Sequence, residues 1–382
     1  MPSTLLRKKL MQKVRNVVIK IGTAVLTRAD GTLDSQLIGR LARQVATMHA
    51  RGISVTLVSS GAVGAGVGRA QLSGRPRSLP MIQATAAIGQ PALMSIYERT
   101  LAKHGLHIGQ ILVTRADFEH RSRYVNISNT LSALRKLGAV PIINENDTTA
   151  VDELDKFADN DIIAALTTNL LRADLLVILT VVDGLLDHDG QLVDLVTSID
   201  HETQSLVKSH RSALGSGGMT GKLNAAKLVV DAGEGVVIAN GRVRDILPRL
   251  LDGKRVGTIF APAKRKLSAR QRWIFGAVRP AGKIKIDAGA AEALRTRGKS
   301  LLARGIVGTS GAFARGTVVR ITAPDGGTIA HGLSNYSRQE LEAIKGLKSN
   351  EIAACLGHKP FDEVIHRDNL VLTAGENQTD TP

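Results

Sequence analysis

The residues best suited to chemistry crowd into one stretch, residues 141–166. Between Glu145 and Asp161 stand seven carboxylates and one cation, Lys156, in a protein of 382 residues whose formal net charge is +16. Such a run is either a solvated loop or a holder of something positive: a metal ion, an ammonium group or a lysine. Two features favour the second reading. An apolar run, Val140, Pro141, Ile142 and Ile143, delivers the carboxylates at the end of a buried strand. A helix then starts directly after Asp159-Asn160-Asp161, and open α/β sheets bind ligands at the carboxyl ends of their strands.

Three further stretches suit anions. The strand VRNVVIKI ends in Lys20-Ile21-Gly22-Thr23. A lysine at an apolar strand end is costly unless it meets an anion or snorkels to water. Gly22 and Thr23 leave backbone N–H groups for a phosphate. The strand Ile53–Val58 runs into the turn Ser59 to Gly68, which opens a helix; this is either an anion cradle or a run of glycines for close helix packing. It lacks the lysine of the P-loop and the spacing of the dinucleotide fingerprint. Leu214 to Lys222 (LGSGGMTGK) is a second glycine-rich stretch, expected as a loop opening a helix from Leu223 to Ala232, with Lys222 in its first turn. A cation there is unfavourable against the helix dipole unless a polyanion lies between it and the free N–H groups. The alternative is a flexible surface loop.

Positioning these residues requires alternating elements. Strands are expected at 14–21, 53–58, 107–114, 140–143, 174–180 and 235–239, and helices at 34–50, 80–104, 121–137 and 161–171. That alternation predicts a mostly parallel sheet with helices on both faces. From Trp273 the texture changes to short β-like runs punctuated by glycine, predicting a small β-rich domain. The basic N-terminal stretch reads as a frayed leader without a signal-peptide core. One cysteine, Cys355, excludes an internal disulfide and fits a reducing compartment. No apolar run approaches the length of a membrane span. Residues 261–382 carry 19 Lys and Arg against 11 Asp and Glu, about twice the basic excess per residue of the rest.

Taken in order, IKIGT, SSGAVGAG, GQILVTRADF, PIINENDT, ADND, GSGGMTGK and RWIFG resemble the glutamate 5-kinase family, over nearly the whole chain. The resemblance implies an α/β fold: an open, mostly parallel eight-stranded sheet between helices, the amino-acid kinase fold. It adds a small β-rich PUA pseudo-barrel domain. The implied division is a catalytic domain at 1–262, a linker at 263–279, a PUA-like domain at 280–373 and a disordered tail at 374–382. The implied activity moves the ATP γ-phosphoryl group onto the side-chain carboxylate of L-glutamate, giving L-glutamyl 5-phosphate, the first step of proline biosynthesis. Because that carboxylate is already ionised, no general base is required; charge neutralisation and positioning carry the catalysis.

The resemblance also assigns residues. Lys20 and Lys222 would contact the transferring phosphoryl group, with Asp161 orienting both lysines. Ser60, Asp147 and Asn160 match glutamate-binding positions, Asp147 facing the ammonium and Asn160 donating to the α-carboxylate. Lys20, Gly22, Thr23, Thr180 and Val181, with Gly218, Met219, Thr220, Gly221, Lys222, Leu223 and Asn224, match ATP-binding segments. ATP and Mg²⁺ are the implied cofactors, the ion held mostly by phosphate oxygens and not by a protein metal site. Cytoplasmic location, a homo-oligomer (dimer or tetramer) and inhibition by proline are also implied. Three positions depart from the family pattern: Val181 where Asp is usual, Leu186 for Tyr, and Ala158 for Gly. The alternatives are N-acetylglutamate kinase or aspartokinase within the same fold, or an RNA-binding protein. The last would use a patch of Arg279, Lys283, Lys285, Arg295, Arg297, Lys299 and Arg304 in the PUA-like domain; a solvated basic face explains the same charges.

Overall fold

A computed structural model describes residues 3–28, 30–149, 159–209 and 217–376. Asp152, Glu153, Asp155, Lys156 and the departing Ala158 lie outside the described residues, as do Leu214, Gly215 and Ser216. The chain divides into two compact units, Met1–Lys266 and Leu267–Pro382.

The first unit is built on strands β1 (Asn16–Ile21), β2 (Ser54–Ser59), β3 (Ile108–Val113), β4 (Val140–Glu145), β5 (Leu175–Thr180), β6 (Leu195–Val196), β7 (Gly235–Asn240) and β8 (Thr258–Phe260). They form one eight-stranded sheet in the order β3-β4-β2-β1-β5-β7-β8-β6. Every neighbouring pair is parallel except β7 with β8. The inner strands are continuous apolar runs (LLVILT in β5, GVVIAN in β7), as helices on both faces demand. The helices are α1 (Ser3–Gln12), α2 (Thr23–Leu26), α3 (Ser35–Ala50), α4 (Ala62–Arg69), α5 (Leu79–Ala102), α6 (Arg115–Glu119), α7 (Arg121–Lys136), α8 (Asp159–Leu171), α9 (His201–Ser209), α10 (Gly217–Val230) and α11 (Ile246–Leu251). Leu37, Leu41 and Val45 of α3 and Leu93 and Tyr97 of α5 bury against Val17, Ile19 and Ile21 of β1. Asp34 caps α3 by accepting from the Leu37 N–H at 2.9 Å.

One helix pair sets the position of the glycine-rich turn. Where α4 crosses α5, a Cβ at Gly66 would fall 1.8 Å from the Thr85 carbonyl oxygen, and a Cβ at Gly89 1.9 Å from that of Ala62. Only glycine permits this approach. Gly61, with φ at 107°, turns the chain from β2 into α4.

Three expectations need correction. The basic N-terminal stretch is not a frayed leader: it forms α1, and Arg7 is only 2% exposed. Its guanidinium donates to the carbonyls of Lys254, Val256 and Gly257 and to the Asp194 carboxylate at 2.6 Å. These partners make burial of the charge tolerable. The second glycine-rich stretch is helical from Gly217, so Lys222 lies in the second turn of α10 and not at its start. Leu223, Ala225, Ala226 and Val229 are buried, and their packing overrides the weak helix propensity of the glycines. Helix α8 begins at Asp159, two residues before the expected start.

The second unit opens with α12 (Ala269–Arg272), capped by Ser268, and a π-helical turn at Trp273–Ala277. Strands β9 (Gly282–Ile286), β10 (Ile306–Gly311), β11 (Val318–Thr322), β12 (Thr328–Leu333) and β13 (Leu370–Glu376) form a five-stranded sheet in the order β10-β9-β11-β12-β13. Helices α13 (Ala288–Arg297), α14 (Arg338–Ile344) and α15 (Ile352–Leu356) complete it. Its own core includes Ile284, Ile286, Val319, Ile321, Tyr336 and Leu341. In β9 the alternation places Lys283 and Lys285 outward and Ile284 and Ile286 inward. Residues 269–277, inside the stretch expected as a linker, form α12 and the π-helical turn, and Arg272, Trp273 and Ile274 are buried. Residues 374–376, expected as the start of a tail, belong to β13, whose last residue, Glu376, pairs with Thr328. Residues 377–382 lie outside the described residues.

Candidate active site

The carboxyl ends of β1, β2 and β4 meet the first turn of α8, and the charged residues converge there. Lys20, the fifth residue of β1, is 5% exposed. Its ammonium lies 2.7 Å from Asp161 Oδ1. The other oxygen, Oδ2, lies 3.3 Å from the Lys222 ammonium, which also donates to the Gly218 carbonyl at 2.9 Å. Asp161 is fully buried. It sits in the first turn of α8, where the helix dipole favours a negative charge. Burial pushes the Lys20 ammonium below the usual lysine value; Asp161 opposes this and Lys222 adds to it. One carboxylate thus holds two cations side by side. The cluster keeps one positive charge over, and a phosphate is the complement.

A chain of amides lies beside it. Asn160 Nδ2 donates to Ser60 Oγ at 3.0 Å and to Asn144 Oδ1 at 3.1 Å. Asn144 in turn donates to Gln90 Oε1 at 2.9 Å and accepts from the Glu145 N–H. Those partners fix the Asn144 amide, and through it the orientation of Asn160. Both Nδ2 hydrogens of Asn160 are therefore used. Donation to a substrate carboxylate, the role expected for this residue, would require one of these bonds to break. Its Oδ1 is buried without a partner among the described residues and is free to accept.

These groups border a cavity of about 220 Å³ lined by Lys20, Thr23, Ser60, Gly61, Ala62, Val63, Arg75, Asn144, Glu145, Asp147 and Asn160. A small amino acid fits that volume. Burial raises the Asp147 carboxyl above its ordinary value, and the Arg75 charge works against the rise. Ser60, Asp147, Asn160 and Lys20 are thus brought together. Lys222 does not line the cavity; it stands on the far side of Asp161, and Lys20 is the cation shared by both places.

The remaining expected residues divide by geometry. Thr23 lines the cavity at the start of α2, but Gly22 does not offer its N–H, which donates to the Leu179 carbonyl at 3.1 Å. A Cβ at Gly22 would sit at ordinary contact distance, 3.5 Å from the Lys20 ammonium, so the position does not require glycine for space. Thr180 closes β5, and its carbonyl accepts from the Gly241 N–H. Val181 packs against the core, and Leu186 bridges Leu192. Gly218, Met219, Thr220, Gly221 and Asn224 all lie in α10, as does Leu223, which is buried, 2% exposed. Arg75, Asn144 and Gln90 were not anticipated from the sequence. Asn144 had a signal, a polar amide ending an apolar strand; Arg75 and Gln90 had none.

Residues 15–240 match the amino acid kinase family, and residues 282–356 match the PUA domain. The chain is 46% identical over 373 residues to a glutamate 5-kinase of Geobacter sulfurreducens, covering 96% of this chain and 100% of that protein. It is 44% identical over 362 residues to a glutamate 5-kinase of Caldanaerobacter subterraneus, covering 93% and 97%. Among solved structures, an N-acetylglutamate synthase of Neisseria gonorrhoeae shares the fold, at a TM-score of 0.50 and 17% identity over 69% of this chain and 63% of that one.

Proposed function

The chain belongs to the glutamate 5-kinase family, and from that premise we propose how its own residues perform the reaction. The enzyme phosphorylates the side-chain carboxylate of L-glutamate with ATP, the first step of proline biosynthesis. The observation that carries our assignment is the single buried carboxylate of Asp161 shared by Lys20 and Lys222, beside a cavity lined by Ser60, Asp147 and Asn160.

In this reading the amino acid occupies the cavity with its γ-carboxylate toward Lys20. A γ-carboxylate oxygen attacks the γ-phosphorus; the bond from that phosphorus to the β,γ-bridging oxygen breaks, and ADP leaves with the electron pair. No proton moves, since the nucleophile is already an anion. The obstacle is repulsion between two anions. Lys20 meets both the carboxylate and the transferring phosphoryl group, and Lys222 meets the phosphoryl group from the nucleotide side. Asp161 positions both ammonium groups without touching substrate. Asp147 takes the substrate ammonium, with Asn160 Oδ1 as a second acceptor, and Ser60 keeps a hydroxyl hydrogen to donate. Thr23 offers its backbone N–H to the nucleotide, with Thr180, Val181 and the first half of α10 forming the rest of that wall. Mg²⁺, when bound with ATP, would be held mostly by the phosphate oxygens and would offset their charge, while Asp161 keeps both of its oxygens on the lysines.

The deciding assay is ADP formation dependent on L-glutamate, with N-acetylglutamate and L-aspartate as controls. Turnover of N-acetylglutamate in place of glutamate would defeat the cavity assignment. Proline addition in the same assay tests feedback inhibition, and light scattering tests a dimer or tetramer. A cytoplasmic location agrees with ATP as co-substrate and one exposed free cysteine; among the described residues no helix is long and apolar enough to cross a membrane. RNA binding by the second unit is an accessory reading, supported by its match to the PUA domain and the outward Lys283 and Lys285. Equal, salt-sensitive RNA retention by the intact enzyme and its Lys283→Glu, Lys285→Glu variant would remove those lysines from it.

A further inference from the structure

Phosphoryl transfer uses one end of the cavity and leaves its other charges without a task. L-Glutamate carries three charged groups. Its γ-carboxylate reacts, so the α-ammonium and α-carboxylate each need a partner of opposite sign. Asp147 suits the ammonium. For the α-carboxylate the cavity wall offers few donors. Lys20 is held at 2.7 Å by Asp161 and belongs to the reacting end. Asn160 has both amide hydrogens taken. The other cation on the wall is Arg75.

Arg75 lies in the short connection between α4 and α5, residues 70–78. Both ends of that connection are bolted together by the close contacts of Gly66 with Thr85 and Gly89 with Ala62. The loop is therefore held at its base, and Pro76 stiffens it immediately after Arg75. Among the described residues Arg75 makes no hydrogen bond and no ion pair. It lines the same cavity as Asp147, with the opposite charge, and opposes the rise that burial imposes on that carboxyl. Two opposite charges that feel each other but do not pair match a ligand that is itself a zwitterion.

We propose that Arg75 is a specificity residue of this enzyme: its guanidinium takes the α-carboxylate of the substrate while Asp147 takes the α-ammonium. The planar fork of arginine suits a carboxylate bidentately, which a lysine would not reproduce. The proposal rests on the cavity being the glutamate site. The competing account is an exposed arginine serving only as a solvated face.

The test compares L-glutamate with two truncated analogues in the intact enzyme and in Arg75→Gln and Arg75→Lys. 4-Aminobutyrate lacks the α-carboxylate; glutarate lacks the ammonium. Steady-state kcat and KM are measured for each, or inhibition constants against glutamate where turnover is too slow. Arg75→Gln is expected to lower kcat/KM for glutamate by about 10- to 150-fold, mainly through KM, the range for a charge-assisted hydrogen bond. The preference for glutamate over 4-aminobutyrate falls by the same factor, and Arg75→Lys recovers only part of it. Asp147→Asn instead collapses the preference for glutamate over glutarate. An equal loss for glutamate and 4-aminobutyrate in Arg75→Gln would overturn the proposal, and so would an unchanged KM for glutamate. Failure of the cavity assignment looks different: the unaltered enzyme would then form no ADP with L-glutamate, whatever stands at position 75.

Discussion

Replacing Asp161 by Asn removes one charge and almost no volume. The side chain is fully buried, and Lys20 beside it is 5% exposed, so water cannot supply a substitute anion. Lys222 is less dependent, since it retains the Gly218 carbonyl at 2.9 Å. Breaking a buried pair by deleting one partner destabilises by about 3–5 kcal/mol, or roughly two to four decades in the unfolding constant. The pH dependence has a definite sign. Burial already holds the Lys20 ammonium below its ordinary value, and Asp161 is what opposes the shift. Without Asp161 the folded protein releases that proton at lower pH, while the unfolded chain holds it up to the usual lysine range. Between those two values the unfolded state binds more protons, so stability rises with pH across the window, more steeply than in the unaltered enzyme. Urea unfolding of the first unit, followed by circular dichroism from pH 7 to pH 10, measures both effects. The double variant Lys20→Met, Asp161→Asn should regain much of the loss, because β1 then carries no unpaired charge. A single Asp161→Asn variant with unchanged unfolding midpoint and unchanged pH slope would refute the reasoning.

Other consequences are simpler to state. Lys222→Ala should lower kcat by about 10²- to 10³-fold, as for loss of one oriented charge donor, with an unchanged circular dichroism spectrum; near-normal kcat in a folded variant would count against its role. Since burial raises the Asp147 carboxyl, KM for glutamate should climb on acidification from a pH above the ordinary carboxylate range, where protonation removes the ammonium partner. A pH–KM series shows this, and Asp147→Asn should flatten it. Gly89→Ala places a Cβ 1.9 Å from the Ala62 carbonyl, so α4 must move. The expected cost is at least about 1–3 kcal/mol in urea unfolding, with a raised KM because Ala62 lines the cavity.

The parallel sheet was legible because its strands are local apolar runs; Lys20 and Ser60 stand where such runs stop, whereas the roles expected of Ser60, Asp147, Asn160 and Asp161 came from the motifs that resemble the family. What failed to show was non-local. Arg7 looked like part of a frayed leader because its partners, Asp194 and the carbonyls of Lys254, Val256 and Gly257, lie far along the chain. The start of α10 was obscured by Gly217, Gly218 and Gly221, whose propensity argues for a loop until Leu223 and Val229 are seen to be buried. Gly22 offered a free N–H on paper, but β5 claims it. Arg75 and Gln90 acquire meaning only once α4 and α5 have folded against the carboxyl ends of the strands.

The sharing of Asp161 between two lysines also constrains the order in which the molecule assembles. Lys20 arrives on β1, Lys222 on α10, and the carboxylate that reconciles them on α8. A partly folded chain that closed β1 against α10 without α8 would set two ammonium groups together in an apolar interior, with nothing to offset them. That intermediate is selected against. Docking of α8 must come before, or together with, closure around the lysines.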